Sequence, residues 1–150
     1  MLKNGATAPD FALENTHGAS ITLDALVADG PLILYFYPAD FTPGCTKEAC
    51  AIRDIYDDIL ATGLKVVGIS PQAGDSHQRF TERYELPFDL LCDPNKVVTK
   101  QYDLDGPLGI GLRRGTYLID RDKNIVDGVL ADINISKHVR FIEKAMAAAG

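Results

Sequence analysis

Two cysteines stand five positions apart in Phe41-Thr42-Pro43-Gly44-Cys45-Thr46-Lys47-Glu48-Ala49-Cys50, directly after the apolar run Pro31 to Tyr37. The run reads as a buried strand and Thr42-Pro43 as a helix start, with Thr42 at the N-cap and Pro43 at the first helical position. Cys45 then falls at the third position, where a glutamate sits in a capping box. There the unpaired backbone N–H groups and the helix dipole favour an anion. A thiol so placed is expected to lose its proton more easily, and the thiolate is the nucleophile. Gly44 leaves space for a ligand, and Glu48, one turn on, is an acid suited to orienting a cation. Buried, inert packing is the alternative for both cysteines, and spacing alone does not decide between them.

These residues need a frame. Phe11–Leu13 and Ile21–Leu23 flank His17-Gly18 as a hairpin. Leu32–Tyr37 and Leu64–Ser70 read as central strands covered on both faces. Between them a helix is expected from Pro43 to Ala61, with Ala49, Ile52, Ile55, Tyr56, Ile59 and Leu60 inward and Gly63 closing it. Asp75 is expected to cap a helix through Tyr84. Phe88–Leu91 forms a short strand, and Asp93-Pro94 starts a helix through Tyr102. The glycine-containing stretch Gly106–Gly111 is a loop. Thr116–Asp120 and Ile125–Leu130 pair over the turn Arg121–Asn124, and Ser136 caps a last helix. Strands alternating with helices, then a closing hairpin and helix, imply an α/β fold with a mixed sheet between helical layers. No linker or repeat divides residues 1–150, so one domain is expected.

Composition narrows the function. Of 150 residues, 46% are hydrophobic and 24% charged, and 15 Lys plus Arg against 21 Asp plus Glu give −6. There is no basic stripe for nucleic acid beyond Arg113-Arg114 and no apolar stretch of membrane-spanning length. The N-terminus lacks the apolar core of a signal peptide, so a cytoplasmic or equivalent reducing location is expected. Three cysteines, an odd count, argue against a structural disulfide framework. His17, His77 and His138 share no metal-ligand spacing with a cysteine, and all three are expected at the surface; no metal or other cofactor is implied.

Pro38-Ala39-Asp40-Phe41-Thr42-Pro43-Gly44-Cys45 resembles the active-site signature of the peroxiredoxins, and the second cysteine at position 50 resembles their Q subfamily, the bacterioferritin-comigratory type. Gly5–Phe11 is similar to the family's N-terminal signature, and Arg114–Asp120 to its downstream arginine strand. The resemblance implies a thioredoxin-like fold with an N-terminal β-hairpin and a thiol peroxidase acting on hydrogen peroxide and organic hydroperoxides. It implies Cys45 as the peroxidatic thiolate, oxidised to a sulfenic acid. Thr42 and the Cys45 N–H would hold the peroxide, Arg114 would stabilise charge on the thiolate and on the departing oxygen, and Pro38 would shield the sulfur from water. Glu48 would position Arg114, and Cys50 would resolve the sulfenic acid into a disulfide recycled by thioredoxin or a similar dithiol protein. A monomer or weak dimer is implied.

Other readings of the same residues are a redox sensor or holdase switched by Cys45 oxidation, and a dithiol–disulfide exchange protein. The exchange reading is disfavoured because such activity ordinarily separates its cysteines by two residues. Cys92 reads as a small core residue, with a Cys45–Cys92 link as the rival pairing. Arg113 is the rival of Arg114. The motif's spacing to Thr116 and Asp120 selects Arg114, and strand alternation then sends Arg113 to solvent. Residues five apart on a helix differ by about 7.5 Å in rise and about 140° in direction. Their Cα atoms lie roughly 8–9 Å apart, beyond the ~7 Å a disulfide allows. Joining Cys45 to Cys50 therefore calls for unwinding between about Pro43 and Cys50.

Overall fold

The computed structural model describes residues 1–149. Its frame is a mixed sheet of seven strands in the order β2-β1-β5-β4-β3-β6-β7. The strands are β1 (Ala12–Glu14), β2 (Ser20–Thr22), β3 (Leu32–Phe36), β4 (Lys65–Ser70), β5 (Leu90–Cys92), β6 (Gly115–Ile119) and β7 (Ile125–Leu130). The helices are α1 (Leu23–Val27), α2 (Pro43–Asp54), α3 (Tyr56–Ala61), α4 (Gly74–Tyr84), α5 (Val97–Gln101) and α6 (Ile135–Ala149). Parallel pairing of β3 with β4 and of β4 with β5 is flanked by antiparallel β6 on one side and β1 on the other. The N-terminal hairpin forms through Asn15, whose side-chain oxygen accepts from the N–H groups of His17 and Ala19 and turns the chain as an Asx turn does.

Every residue of β3 is buried, and alternation divides them between two cores. Leu32, Leu34 and Phe36 join Val67, Ile69, Tyr117 and Ile119 under α1 and α5. Ile33 and Tyr35, with Tyr37, join Val66, Leu90 and Phe80, and this second core includes Cys45, Ala49 and Ile52 of α2 and Ile142 of α6. The reactive segment is thus built onto one face of the central strand. The same parity places Thr116 and Leu118 of β6 on the α2–α6 face, opposite Tyr117 and Ile119.

Several boundaries differ from those read in the sequence. The helix after β3 is interrupted at Ile55, whose N–H bonds back to the Ile52 carbonyl; this i→i−3 bond tightens the turn and sets Tyr56 against Phe88. Asp75 lies inside the first turn of α4, and Ala73 is the cap. β5 begins at Leu90, not Phe88. Pro94 precedes α5 instead of opening it. Asp93 reaches forward to accept from the N–H groups of Val98 and Thr99 and from the Thr99 hydroxyl, so the acid caps the helix from beyond the usual position. Ser136 lies within α6 and bonds to Asn134. The five-residue α1, capped by Thr22, is too short to show a period.

Gly68 of β4 is a point of close approach. A Cβ there would lie 2.8 Å from Tyr35 Cζ and 2.9 Å from Leu90 Cδ2, in a core with no slack. Gly68→Ala is therefore expected to destabilise the protein by about 1–3 kcal/mol, read from urea unfolding; an unchanged midpoint would contradict the packing described.

Candidate active site

The site is assembled where β3 ends. The connection from Tyr37 to Thr42 is fixed by Asp40, which accepts from Tyr37 Oη at 2.7 Å and from Ser76 Oγ at 2.8 Å and lies 2.7 Å from His77 Nδ1. The second ring nitrogen of His77 lies 3.1 Å from the Leu91 carbonyl. Burial opposes ionisation of Asp40, but these hydrogen bonds and the His77 charge outweigh it and hold the carboxyl below its ordinary range. The loop that leads into α2 is thereby tied to α4 and β5. Phe41 follows in the left-handed region at φ 63°, a costly conformation for a non-glycine residue. Its half-exposed ring packs on Phe80 and Tyr84.

Thr42 is the N-cap of α2 by backbone conformation, but its side chain does not cap. The hydroxyl instead donates to the Ala39 carbonyl at 2.9 Å. A hydroxyl that has given its hydrogen away keeps its oxygen lone pairs for accepting, the role a protonated peroxide oxygen would require. Pro43 and Gly44 then bring Cys45 to the third helical position, where the N–H groups of the first turn have no partner within the helix. Its side chain is 1% exposed.

Arg114 Nη2 donates to Cys45 Sγ at 3.2 Å, and Arg114 Nη1 to Glu48 Oε1 at 2.8 Å. The guanidinium therefore bridges two residues of one helix from a position just before β6. A Cβ on Gly44 would stand 3.2 Å from Arg114 Nη2, so the glycine makes room for the cation. The arginine is held from behind by Asp132, which accepts from its backbone N–H and also pairs with Arg113 Nε at 2.8 Å. Arg113 points outward into that partly exposed pair, and Arg114 faces the sulfur. Burial alone would lower the proton affinity of Arg114; Glu48 and Cys45 reverse this and raise it. Glu48 is wholly buried. Its desolvation outweighs the pull of Arg114 and raises its pKa to about 7.

Cys50 lies two turns along α2, half-buried, with a free thiol. The helix is continuous between the two cysteines. Cys92 ends β5, also half-buried and free, and burial raises its thiol pKa. Pro38 is exposed on the loop ahead of the site. Two of the three histidines depart from the surface reading. His17 is exposed, whereas His77 and His138 are fully buried. His77 is explained by Asp40. His138 Nδ1 lies 2.8 Å from Thr116 Oγ1 and 3.7 Å from Glu48 Oε2. Neither partnership was visible in the sequence, because each joins residues from separate elements. Asp132, on the turn before α6, was likewise unsignalled.

The sequence of residues 4–127 matches the AhpC/TSA family. Among similar proteins, a putative peroxiredoxin bcp of Coxiella burnetii is 39% identical over 141 residues, covering 90% of this chain and 92% of the relative. The chloroplastic peroxiredoxin Q of Sedum lineare is 42% identical over 119 residues, covering 79% of this chain and 63% of the relative. The crystal structure of the peroxidoxin BcpB of Mycobacterium tuberculosis superposes with a TM-score of 0.91 at 33% identity, covering 99% of this chain and 98% of that one. A thioredoxin-like sheet and a cysteine at a helix start facing a buried arginine thus accompany whole-chain similarity. The chain belongs to the AhpC/TSA family, as a peroxiredoxin of the Q or bacterioferritin-comigratory type.

Proposed function

We propose that this chain is a two-cysteine thiol peroxidase that reduces hydrogen peroxide and organic hydroperoxides through Cys45 and Cys50. The observation that carries the reading is the single guanidinium of Arg114, within 3.2 Å of the Cys45 sulfur and fixed by Glu48. The Cys45 thiolate attacks the nearer peroxide oxygen. The O–O bond breaks, the electron pair leaves with the distal oxygen, and a proton converts it to water or an alcohol. Arg114 faces the charge that develops on both oxygen and sulfur, in a site from which water is largely excluded, where such a donor acts most strongly. The Thr42 oxygen accepts from the peroxide O–H, and the unpaired N–H groups of the first turn of α2 donate to the attacked oxygen. Pro38 screens the resulting sulfenic acid from solvent.

The Cys50 thiol gives up its proton and attacks the Cys45 sulfur; the S–O bond breaks and the sulfenic hydroxyl leaves with that proton as water, so that a disulfide remains. An external dithiol of the thioredoxin kind returns both thiols, and a reducing compartment such as the cytoplasm suits a chain with three free cysteines. The chain is read as acting as a monomer or weak dimer. The second step cannot occur on the helix as it stands, because residues five apart on a continuous α-helix are held too far apart to bond. Residues 43–50 must unwind, drawing Cys45 and Ala49 out of the core and Glu48 away from Arg114. Gly44 eases this, since glycine disfavours helix by about 1 kcal/mol relative to alanine.

Three outcomes test the scheme. Replacement of Cys45 by Ser is expected to abolish peroxide consumption supported by a dithiol reductant; retained turnover would contradict it. After one equivalent of peroxide, intact-mass and peptide mapping should show loss of two hydrogens in a Cys45–Cys50 link with Cys92 free, and amide exchange should show loss of protection over 43–50. A Cys45–Cys92 link, or a protected helix in the disulfide form, would overturn the choice of Cys50 or the unwinding. Arg114→Met should slow oxidation of Cys45 by roughly 10²–10³-fold in single-turnover measurements while leaving the fold intact by circular dichroism. A rate within a few-fold of the parent would remove the guanidinium from the mechanism.

A further inference from the structure

His138 is buried behind Glu48 and has no part in the chemistry above. It is carried by α6, which packs across α2. Its Nε2 lies 2.8 Å from the Ala131 carbonyl. A carbonyl only accepts, so Nε2 bears the hydrogen. Burial, reinforced by the charge of Arg114, lowers the proton affinity of the ring despite the Ala131 bond and Asp132, which favours the neutral ring with the lone pair on Nδ1. The Thr116 hydroxyl fills that lone pair at 2.8 Å.

Glu48 Oε2 faces the same nitrogen at 3.7 Å. It is buried and makes no hydrogen bond among the described residues. Two acceptors therefore confront one another across a short gap, and the nearby hydroxyl hydrogen is given to the nitrogen. An unpaired buried oxygen of this kind is costly, and a proton on Oε2 relieves the conflict. Arg114, ahead of β6, is the charge that acts on Glu48; Glu48 and Cys45 in turn act on the buried Tyr35 of β3, whose hydroxyl also has no partner among the described residues. Asp132 acts behind Arg114 and His138.

We propose that His138 is a positioning residue for the Cys45 reaction: its uncharged Nδ1, held by Thr116 and turned toward Glu48 Oε2, sets the charge that Glu48 presents to Arg114, and so the share of the guanidinium left for the sulfur and the peroxide oxygen. Only the last step of this chain rests on the peroxidase reading. Control of the Glu48 charge operates in the reduced protein without peroxide.

The test is a pH titration of the Glu48 side-chain carboxyl carbon by ¹³C NMR in the reduced full-length protein, assigned by its loss in Glu48→Gln. The parent midpoint is expected at about 7. His138→Gln sets an amide N–H against Oε2; a donor favours the anion, so the midpoint should fall by about one pH unit. Thr116→Val frees Nδ1 to accept the Glu48 proton; this favours the neutral acid, so the midpoint should rise. Loosened packing would admit water and lower both midpoints. Opposite shifts therefore support the proposal, whereas unmoved midpoints or a shared direction overturn it. If His138→Gln does not fold, a rise in Thr116→Val supports the proposal and a fall overturns it; if Thr116→Val does not fold, Thr116→Ala is titrated in its place and judged by the same sign. The pH profile of Cys45 oxidation by hydrogen peroxide should move with the carboxyl midpoint. A shifted midpoint with an unmoved rate profile overturns the positioning role, whereas a parent protein that consumes no peroxide overturns the peroxidase reading and leaves the titration to be judged alone.

Discussion

One buried cation organises this molecule. The Arg114 guanidinium lies between a sulfur and a carboxylate of the same helix, at 3.2 Å and 2.8 Å. A cation at such depth is costly unless its hydrogen bonds are met, and the surrounding architecture meets them. Gly44 leaves the space, Glu48 supplies a charged acceptor, and Asp132 holds the backbone behind. The cost of burial is offset by groups that also aim the cation at the Cys45 sulfur, so in the proposed scheme stability and reactivity rest on the same contacts. Truncating Glu48 would leave the buried Arg114 guanidinium without its charged acceptor.

The same helix that presents the sulfur also keeps it from its partner. Cys45 gains its environment from being in the first turn of α2, and Cys50 is out of bonding reach while that turn persists. In the proposed scheme the helical form is suited to meeting peroxide and the unwound form to closing the disulfide. Glu48 lies between the two cysteines, so in that scheme opening the turn would pull it from Arg114 and dismantle for the second step the charge arrangement of the first. Asp40 and its partners on α4 and β5 fix the end of the loop that leads into α2. The break at Ile55 lets α3 stay packed independently of the first turns of α2.

Much of this could be read from residue order. Thr42-Pro43 after an unbroken apolar strand marked the helix start that holds Cys45, and the alternation of β6 separated Arg114 from Arg113 once the motif was recognised. Local pattern failed where the deciding partner lies far along the chain. His77 and His138 read as surface residues because the side chains that hold them in the core lie far along the chain. Their partners Asp40, Thr116 and Glu48 are 22 to 90 positions away, brought close only by the sheet. The Thr42 hydroxyl was expected on the helix amides and was diverted to Ala39. The cap of α5 came from Asp93, several residues before the helix. The five residues of α1 were too few for a period, and Ile55 broke a helix whose apolar spacing ran on without interruption.

The central claim is that Glu48 acts on the sulfur through Arg114 and not by itself. A double-mutant cycle on the single-turnover rate of Cys45 oxidation by hydrogen peroxide tests it directly, using Glu48→Gln, Arg114→Met and the pair together. The account predicts strong non-additivity: once the guanidinium is gone, replacing Glu48 changes the rate little. Losses that simply multiply would show two independent contributions and contradict the account.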